Sequence, residues 1–346
     1  MEKVGIITIV DNKNFGNRLQ NYALQEFIKK IGYEVETIKN NIYCNNKDKF
    51  LINYLKFNVK KIIKKTIVNE QFKQFNSYIK MSKNTITPYN TKKFKHKKFI
   101  VGSDQVWNPE FGRLSDVDLL TFANPNQKIS YAASVGLSNL DDNSKIKVKK
   151  YLNKEQFPYL SVREESAKKI IEEITNRDDI KTVLDPTLML DSSDWNKVAK
   201  KPEGYNGKKY ILTYFLGNNE YEKQINELAN KNDWIVINIK NNGNIGPQEF
   251  LYLFDNAEII FTDSFHACAF SLIYKKKFFV FDRKQNGISN MNSRIINFLD
   301  KFNLSERRVV DFKNINLESI NYENVYKILE NERKKSKDFF IEALKK

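Results

Sequence analysis

The sequence predicts an α/β protein of two doubly wound domains, each a parallel sheet covered by helices. Its 346 residues suffice for about two domains, and 41% hydrophobic residues can supply a core to each. Residues 3–38 alternate between strand and helix patterns, and a second alternation of the same kind starts near residue 209. Such alternation is typical of parallel sheets, whose strands are joined by helices that cross back over the sheet.

The first alternation begins with residues 3–10, KVGIITIV, whose β-branched residues indicate a buried strand. Residues 19–31 carry apolar residues at helical spacing, and Gly32 is a typical residue after a helix end. The other elements predicted here are strands at 34–38, 99–102, 129–133, 160–163 and 182–184, and a helix at 166–174. We therefore place a first domain at residues 1–188.

The second alternation predicts a second sheet. Its strands are expected at 209–216, 234–239, 258–262 and 277–281, with helices between the first two strands, at 248–254 and at 265–274. The charged end of the chain predicts a long helix. We place the second domain at residues 189–320 and the terminal helix at residues 321–346, although no linker rich in Gly, Ser or Pro marks a boundary.

The composition limits the class of protein. A net charge of +16 favours anionic partners, although a general richness in lysine also explains it. Two distant cysteines, Cys44 and Cys268, cannot form a disulfide framework, and two histidines, His96 and His266, cannot form a histidine-rich metal site. No run reaches the ~20 apolar residues that span a bilayer, so we expect a soluble, cytoplasmic protein.

Residues 258–282 hold the strongest functional signal, a strand, a short turn, a helix and another strand. Asp263 and Ser264 follow the first strand, at the sheet edge where ligands of open α/β sheets bind. Ser264 can cap the helix, whose first turn offers amide groups to an anion. His266 lies in that turn and can contact a phosphate or transfer a proton, or it can be a packed core histidine.

A second signal is FIVGSDQVWNP at residues 99–109, where a strand again runs into small and polar residues. Gly102 permits a close backbone approach, and Ser103 follows it. Asp104 can accept a hydrogen bond from a hydroxyl group or act as a base, or it can cap a helix. Trp107 can offer its face to a sugar ring, although tryptophan is more often a core residue.

Two further stretches carry candidate ligand-binding residues. The loop at residues 12–17 lacks the GxGxxG pattern of dinucleotide sites. Gly16 lies between a strand and a helix and lets this loop approach a ligand, and Asn14, Asn17 and Gln20 carry neutral amides suited to sugar hydroxyls. Arg163, in the sequence SVRE, ends a strand and can bind phosphate or carboxylate as a fork, or pair with a neighbouring acid.

Taken together, these stretches resemble the polysaccharide pyruvyl transferase family, in sequence and in their order along the chain. The resemblance covers roughly residues 3–300. The stretches that carry it are NFGNRLQNYALQ at 14–25, VGSDQVWNP at 101–109, SYAASVG at 130–136, SVREES at 161–166, VLDPTLML at 183–190 and TDSFHACAFSLIYKKKFFVF at 262–281. Several motifs at consistent spacing are far more specific than any one of them.

The resemblance implies a fold like that of the GT-B glycosyltransferases, with two Rossmann-like domains facing a cleft. It implies phosphoenolpyruvate as co-substrate, with no other cofactor and no metal, and a glycan or lipid-linked sugar as acceptor. A sugar diol would become a cyclic pyruvyl ketal as phosphate is released. By analogy, the N-terminal domain holds the acceptor and the C-terminal domain holds the donor.

The resemblance also suggests roles for the candidate residues. It implies that His266 contacts phosphate and acts as general acid, and that Asp104 or Asp263 is the base. The donor-binding candidates are Arg163, Ser264, Phe265 and Arg294. The acceptor-binding candidates are Asn14, Gly16, Asn17, Gln20, Ser103 and Trp107.

The chain departs from the family pattern at Ser264, where many members have an arginine expected to bind the donor phosphate. Compensation could come from Arg163, Arg283, Arg294 or a lysine within residues 275–277. The departure leaves the donor, and activity itself, open. Two other classes therefore stay open, a GT-B glycosyltransferase using a nucleotide sugar and a non-catalytic or nucleic-acid-binding protein.

Other motifs add little. The triplet at residues 116–118 matches the short DxD pattern of metal-dependent sugar transferases, a match that arises readily by chance. No recognised nucleic-acid module is present, so we expect no nucleic-acid partner. Walker, HExxH and GxSxG patterns are missing from the sequence.

The charge is concentrated in residues 56–98, which contain 13 lysines against the single acid Glu70. Apolar residues are interleaved with these lysines, and residues 59–67 have them at helical spacing. An amphipathic basic helix predicts peripheral contact with an anionic membrane, here its inner face, where a lipid-linked acceptor would lie. A solvated basic surface is the alternative.

Overall fold

A computed structural model describes residues 2–11, 14–40, 70–87, 89–242, 244–283 and 292–346. The chain forms two compact units. Unit 1 comprises residues 1–62, 76–189 and 332–346, and unit 2 comprises residues 63–75 and 190–331. Each unit is built on its own parallel sheet, which confirms the predicted α/β class with two parallel-sheet domains.

The sheet of unit 1 has the strand order β3-β2-β1-β4-β5-β6-β7, with every pair parallel. Its strands are β1 (Lys3–Ile7), β2 (Glu34–Asn40), β3 (Met81–Ile86), β4 (Lys98–Val101), β5 (Lys128–Ala133), β6 (Tyr159–Val162) and β7 (Lys181–Thr182). Its helices include α1 (Phe15–Lys30), α2 (Asp142–Tyr151) and α3 (Glu165–Thr175). Consecutive residues of a strand enter different apolar clusters, as Ile6 and Ile7 do, so both faces of the sheet are buried.

The sheet of unit 2 has the order β12-β11-β10-β8-β9, again with every pair parallel. Its strands are β8 (Tyr210–Tyr214), β9 (Ile235–Asn238), β10 (Ile259–Thr262), β11 (Lys277–Phe281) and β12 (Arg308–Val309). Its helices include α4 (Ser192–Asn196), α5 (Glu222–Lys231), α6 (Pro247–Asn256), α7 (Phe265–Ile273) and α8 (Asn292–Lys301). Aromatic packing joins these helices, as between Trp195 and Phe270 with ring centroids 5.0 Å apart.

The terminal helix α9 (Tyr322–Lys345) contributes to both units. Near its start, the hydroxyl of Tyr326 donates to the carbonyl of Ile273, at 2.7 Å. Near its end, Phe340 stacks on Phe27 of α1 at 5.4 Å between centroids, and the hydroxyl of Ser336 accepts from the amide of Leu184 at 2.9 Å. The end of this helix is therefore core structure of unit 1.

The basic segment is only partly described. Residues 59–67, for which the sequence predicts an amphipathic helix, lie outside the described residues. Residues 70–76 are helical, and there Phe72 and Phe75 are buried. These two side chains belong to the protein core, so they are not available to a membrane. Within the described ranges, no helix is both long and apolar enough to cross a bilayer.

Candidate functional site

In unit 1, the carboxyl end of β4 is shaped by a glycine. Gly102 has φ of +119°, a conformation that side chains rarely allow, and a Cβ atom placed there would lie 2.1 Å from the carbonyl oxygen of Tyr131. The chain then turns so that Asp104, with φ of +68°, pairs with Ala133 at the end of β5. Glycine at this position therefore brings Asp104 to the polar edge of the sheet.

Arg163, at the end of β6, lies among carboxylates. Its guanidinium donates to Asp185 at 2.9 Å, to Asp104 at 3.2 Å and to Glu164 at 3.4 Å. Burial alone would lower the pKa of Arg163, but these three acids outweigh it and raise the pKa. The salt-bridge alternative therefore describes the contacts of Arg163, and its cation is already balanced by protein acids.

Asp185 joins several elements at this edge. Besides Arg163, it accepts from the hydroxyl of Ser103 at 2.9 Å and from the amide and hydroxyl of Thr187 at 3.0 and 2.8 Å. Asp185 did not emerge as a candidate from the sequence. Its position after β7, at the same edge as Asp104, was the available signal.

The residues predicted to bind the acceptor lie close to this edge, but most are engaged within the protein. Gln20 donates to the hydroxyl of Thr8 at 2.8 Å and accepts from the amide of Ser103 at 3.2 Å, so it links β1 to β4. Asn14 caps α1 by accepting from the amide of Asn17 at 3.3 Å. Gly16, Asn17, Gln20 and Ser103 are all buried.

The assignment of Trp107 to a sugar-binding face is wrong. The side chain is fully buried in the apolar cluster beneath the sheet edge, where its ring packs edge-on against Phe157 at 6.3 Å between centroids. Its indole N–H donates to the carbonyl of Asp118 at 3.1 Å. A large aromatic ring gains much from burial, so the core position is the favoured one for tryptophan.

The DxD match also has a structural role. Asp118 is buried and forms an ion pair with Arg113, whose guanidinium also donates to Asn40 at 3.3 Å. Burial raises the pKa of Asp118, and the Arg113 cation opposes that rise. Across the residues that the structure describes, no three His, Cys, Asp or Glu side chains are grouped to hold a metal ion.

In unit 2, the carboxyl ends of β8, β10 and β11 meet around Asp263. Its carboxylate accepts from the amides of Leu216 and Gly217 at 2.6 and 2.7 Å, and it lies 3.4 Å from Nε of Arg283. Nη2 of Arg283 also donates to the carbonyl of Asp263, at 3.0 Å. Asp263 therefore holds together three loops of this edge, and Arg283 lies beside the residue that precedes Ser264.

Helix α7 begins at this same edge. Ser264 is its N-cap residue and its hydroxyl makes no capping bond, while its amide donates to the hydroxyl of Thr262 at 3.0 Å. His266 is half-buried in the first turn, with its ring edge-on to Phe265 at 5.4 Å between centroids. Phe265 is buried against Phe298 of α8, at 5.6 Å, and belongs to the core.

The structure thus brings the candidate residues together in two groups. In unit 1 these are Asp104, Arg163, Ser103 and Gln20, with Asn14, Gly16 and Asn17 at the start of α1. In unit 2 these are Asp263, Ser264, Phe265 and His266, with Arg283 beside them. Arg294 is buried on α8, the helix that packs against Phe265.

Comparison with protein families gives one match. The model of the family described as polysaccharide pyruvyl transferase matches residues 14–285, which is most of the chain and includes both groups of candidates except Arg294. No protein of curated function matches the sequence.

Solved structures are similar only at a distance. The UDP-GlcNAc 2-epimerase of Neisseria meningitidis bound to UDP-GlcNAc has 12% identity and a TM-score of 0.49, with 99% of each chain covered. That of Methanocaldococcus jannaschii has 14% identity and a TM-score of 0.39, over 96% of this chain and 99% of the other. A glycosyltransferase from Streptomyces nogalater has 9% identity and a TM-score of 0.38, with 99% of each chain covered. TM-scores below 0.5 establish neither a common function nor a common ligand.

Proposed function

The chain belongs to the polysaccharide pyruvyl transferase family, and we propose that it transfers pyruvyl from phosphoenolpyruvate to a sugar diol. The acceptor is part of a cell-surface glycan or of its lipid-linked precursor, and the product is a cyclic pyruvyl ketal. The observation that carries this proposal is the start of α7, where Ser264, His266 and Arg283 share one sheet edge within the matched residues.

We assign the donor to unit 2 and the acceptor to unit 1. Phosphoenolpyruvate carries roughly three negative charges, from its phosphate and its carboxylate. The first turn of α7 offers amide groups and the positive end of the helix dipole to such an anion. Ser264 adds a hydroxyl that is not used for capping.

Arg283 is our candidate for the cation that the family places at position 264. Its two contacts with Asp263 use Nε and Nη2, so Nη1 takes part in neither, and its side chain keeps 11% exposure. Arg163, by contrast, donates to three carboxylates, and its side chain is only 2% exposed. The contacts therefore favour Arg283 over Arg163 as the donor-binding arginine.

The reaction needs an acid and a base. His266 gives a proton to the methylene carbon, the carbon–carbon double bond supplies the electron pair, and positive charge develops at the neighbouring carbon. A sugar hydroxyl attacks that carbon as the base takes its proton. The bond to the phosphate oxygen then breaks, phosphate leaves, and a second hydroxyl of the same sugar closes the ketal ring and releases its proton.

Of the two candidate bases, Asp104 suits the task better than Asp263. Both carboxylate oxygens of Asp263 already accept short bonds from backbone amides, and the residue is 1% exposed. Asp104 is 7% exposed and lies beside the acceptor-side residues at the end of β4. Its pairing with Arg163 keeps the carboxylate oriented.

Phosphate release from phosphoenolpyruvate, measured across a panel of glycan acceptors, tests this function. We expect release only with an acceptor that carries a suitable diol, together with a new ketal methyl signal in the NMR spectrum of the product. Calorimetry should show phosphoenolpyruvate binding without divalent metal. Tight binding of a uridine diphosphate sugar with no response to phosphoenolpyruvate would establish the glycosyltransferase class instead.

A further inference from the structure

A pocket lies in unit 1 at the opposite edge of the sheet from Asp104, beside the start of β4. Its volume is about 410 Å³, within the range of small-molecule sites. The residues that line it are Thr91, Lys92, Phe94, Lys95, His96, Phe99, Phe122 and Gln127. Neither the family resemblance nor the proposed reaction uses this pocket.

The pocket contains a histidine held by a carboxylate. Nε2 of His96 lies 3.0 Å from Glu36, whose other oxygen pairs with the ammonium of Lys3 at 2.8 Å. Because a carboxylate only accepts, the neutral imidazole carries its proton on Nε2, and Nδ1 presents a lone pair. Nδ1 is buried and has no hydrogen-bond partner among the described residues. A buried acceptor without a partner is costly, and a ligand with an N–H or O–H group would satisfy it.

Three phenylalanine rings line the pocket beside the His96 ring. The His96 ring lies between Phe94 and Phe99, at 6.5 and 5.4 Å between centroids, and Phe122 meets Phe99 edge-on at 4.9 Å. A glycine makes room for the imidazole, because a Cβ atom on Gly5 would lie 3.2 Å from two of its ring carbons. Such rings provide flat apolar surface for a base or for the apolar face of a sugar.

Two exposed lysines complete the site. Lys92 and Lys95 line the pocket, and both are exposed to solvent. We propose that the pocket binds a phosphorylated small molecule whose uncharged part carries an N–H or O–H donor and a flat apolar face. The lysines contact the phosphate, the aromatic rings contact the flat part, and Nδ1 of His96 accepts from the donor. A sugar phosphate and a nucleotide share this chemistry.

Calorimetry on the full chain tests the site with three probes, glucose 1-phosphate, uridine 5′-monophosphate and inorganic phosphate. We expect at least one of the two organic probes to bind at least tenfold more tightly than inorganic phosphate. The double substitution Lys92→Gln and Lys95→Gln should weaken that binding at least tenfold. Lys93→Gln is the matched control, because Lys93 is exposed on the same turn but does not line the pocket.

Three results would overturn the proposal. They are no binding of either organic probe, equal affinity for inorganic phosphate, and an equal loss of affinity in the Lys93→Gln control. His96→Phe should bring the affinity of the organic probe down to that of inorganic phosphate. If His96→Phe fails to fold, the lysine variants still test the proposal, because the replaced lysine side chains lie at the surface. The donor site need not be intact for any of these measurements, so the outcome is independent of the proposed transfer reaction.

Discussion

At the scale of one residue, the contacts of Arg163 change the role that its position in the sequence suggests. Sequence places it at a strand end, where an arginine suits a phosphate. The structure adds Asp104, Asp185 and Glu164 around its guanidinium. Two of these acids are distant in sequence, so no local pattern could reveal that the cation is already paired.

Removing Arg163 should therefore act first on stability. Arg163→Ala leaves three buried carboxylates without their cation, and we expect the free energy of unfolding to fall by about 3–5 kcal/mol. Arg283→Ala is the matched variant, with an expected loss of about 2 kcal/mol in phosphoenolpyruvate binding and a smaller change in unfolding. Urea titration and calorimetry measure the two effects. A stable Arg163→Ala protein that no longer binds phosphoenolpyruvate would restore Arg163 as the donor ligand.

His266 offers a second test at this scale. It is half-buried in the first turn of α7, so its loss should leave little unfilled space. We expect His266→Ala to lower turnover roughly a hundredfold or more, the scale of a missing acid–base group, with a melting temperature within a few degrees of the parent. Steady-state kinetics and thermal unfolding measure both quantities. Retained turnover with a weakened fold would identify a packing histidine.

Ser264→Arg introduces the arginine that the family resemblance leads us to expect at this position. If the start of α7 faces the donor, a guanidinium there adds a charge-assisted contact, and phosphoenolpyruvate should bind about tenfold more tightly. Calorimetry of the variant beside the parent chain measures this gain. An unchanged affinity, with the fold intact by thermal unfolding, would argue that position 264 does not contact the donor.

At the scale of an element, the turn after β4 depends on the backbone conformation of Gly102. A Cβ atom at Gly102 would overlap the carbonyl of Tyr131, at a φ that side chains resist. We expect Gly102→Ala to destabilise the fold by about 3 kcal/mol or more and to displace Asp104. Gly112 is the control, since its φ is also positive but nothing lies near its Cβ position, so Gly112→Ala should cost about 1 kcal/mol. Equal unfolding energies for the two variants would contradict this account.

At the scale of elements, the strands and helices that the sequence predicts best are those richest in apolar residues. Buried parallel strands such as β1 and β10 were recognised because both of their faces are apolar. Strand β3 was missed because its sequence, MSKNTI, is polar and lies at the edge of the sheet. Helix α2 was missed for a similar reason, since its ten residues bury only Ser144 and Val148.

At the scale of the whole molecule, the sequence predicted two parallel sheets but not the path between them. Residues 70–75 belong to unit 2, although the described residues that precede them, up to 40, and those that follow, from 76, belong to unit 1. There the amide of Gln71 donates to the carbonyl of Asn244 at 2.6 Å, a contact between residues far apart in sequence. The spacing of apolar residues predicts local helices and strands, but it does not indicate which of two domains a short segment joins. The place of this segment in unit 2 therefore could not be predicted from the sequence.

The burial of side chains in the basic segment, residues 56–98, limits how this segment can contact a membrane. Phe72 and Phe75 are buried, while Lys73, Lys80 and Lys83 are exposed, so the aliphatic and phenylalanine side chains are withdrawn and charge dominates the described surface, beside the two exposed tyrosines at 78 and 89. We propose peripheral contact with anionic lipid that is electrostatic, with up to about 1 kcal/mol from each lysine near the surface. Vesicle co-sedimentation should then occur with anionic but not neutral lipid. It should disappear between 0.1 and 1 M salt, as the screening length falls from about 10 to about 3 Å.

Two variants with the same change in charge separate this contact from a general effect of net charge. Replacing Lys60, Lys61, Lys64 and Lys65 by Gln should abolish sedimentation and leave turnover on a soluble acceptor intact. Replacing four exposed lysines on and after α2, at positions 147, 149, 150 and 154, should preserve it. If both variants lose binding equally, the +16 charge of the whole chain attracts the vesicles and the segment is an ordinary basic surface. Binding that persists at 1 M salt would instead require apolar insertion, which the buried Phe72 and Phe75 cannot supply.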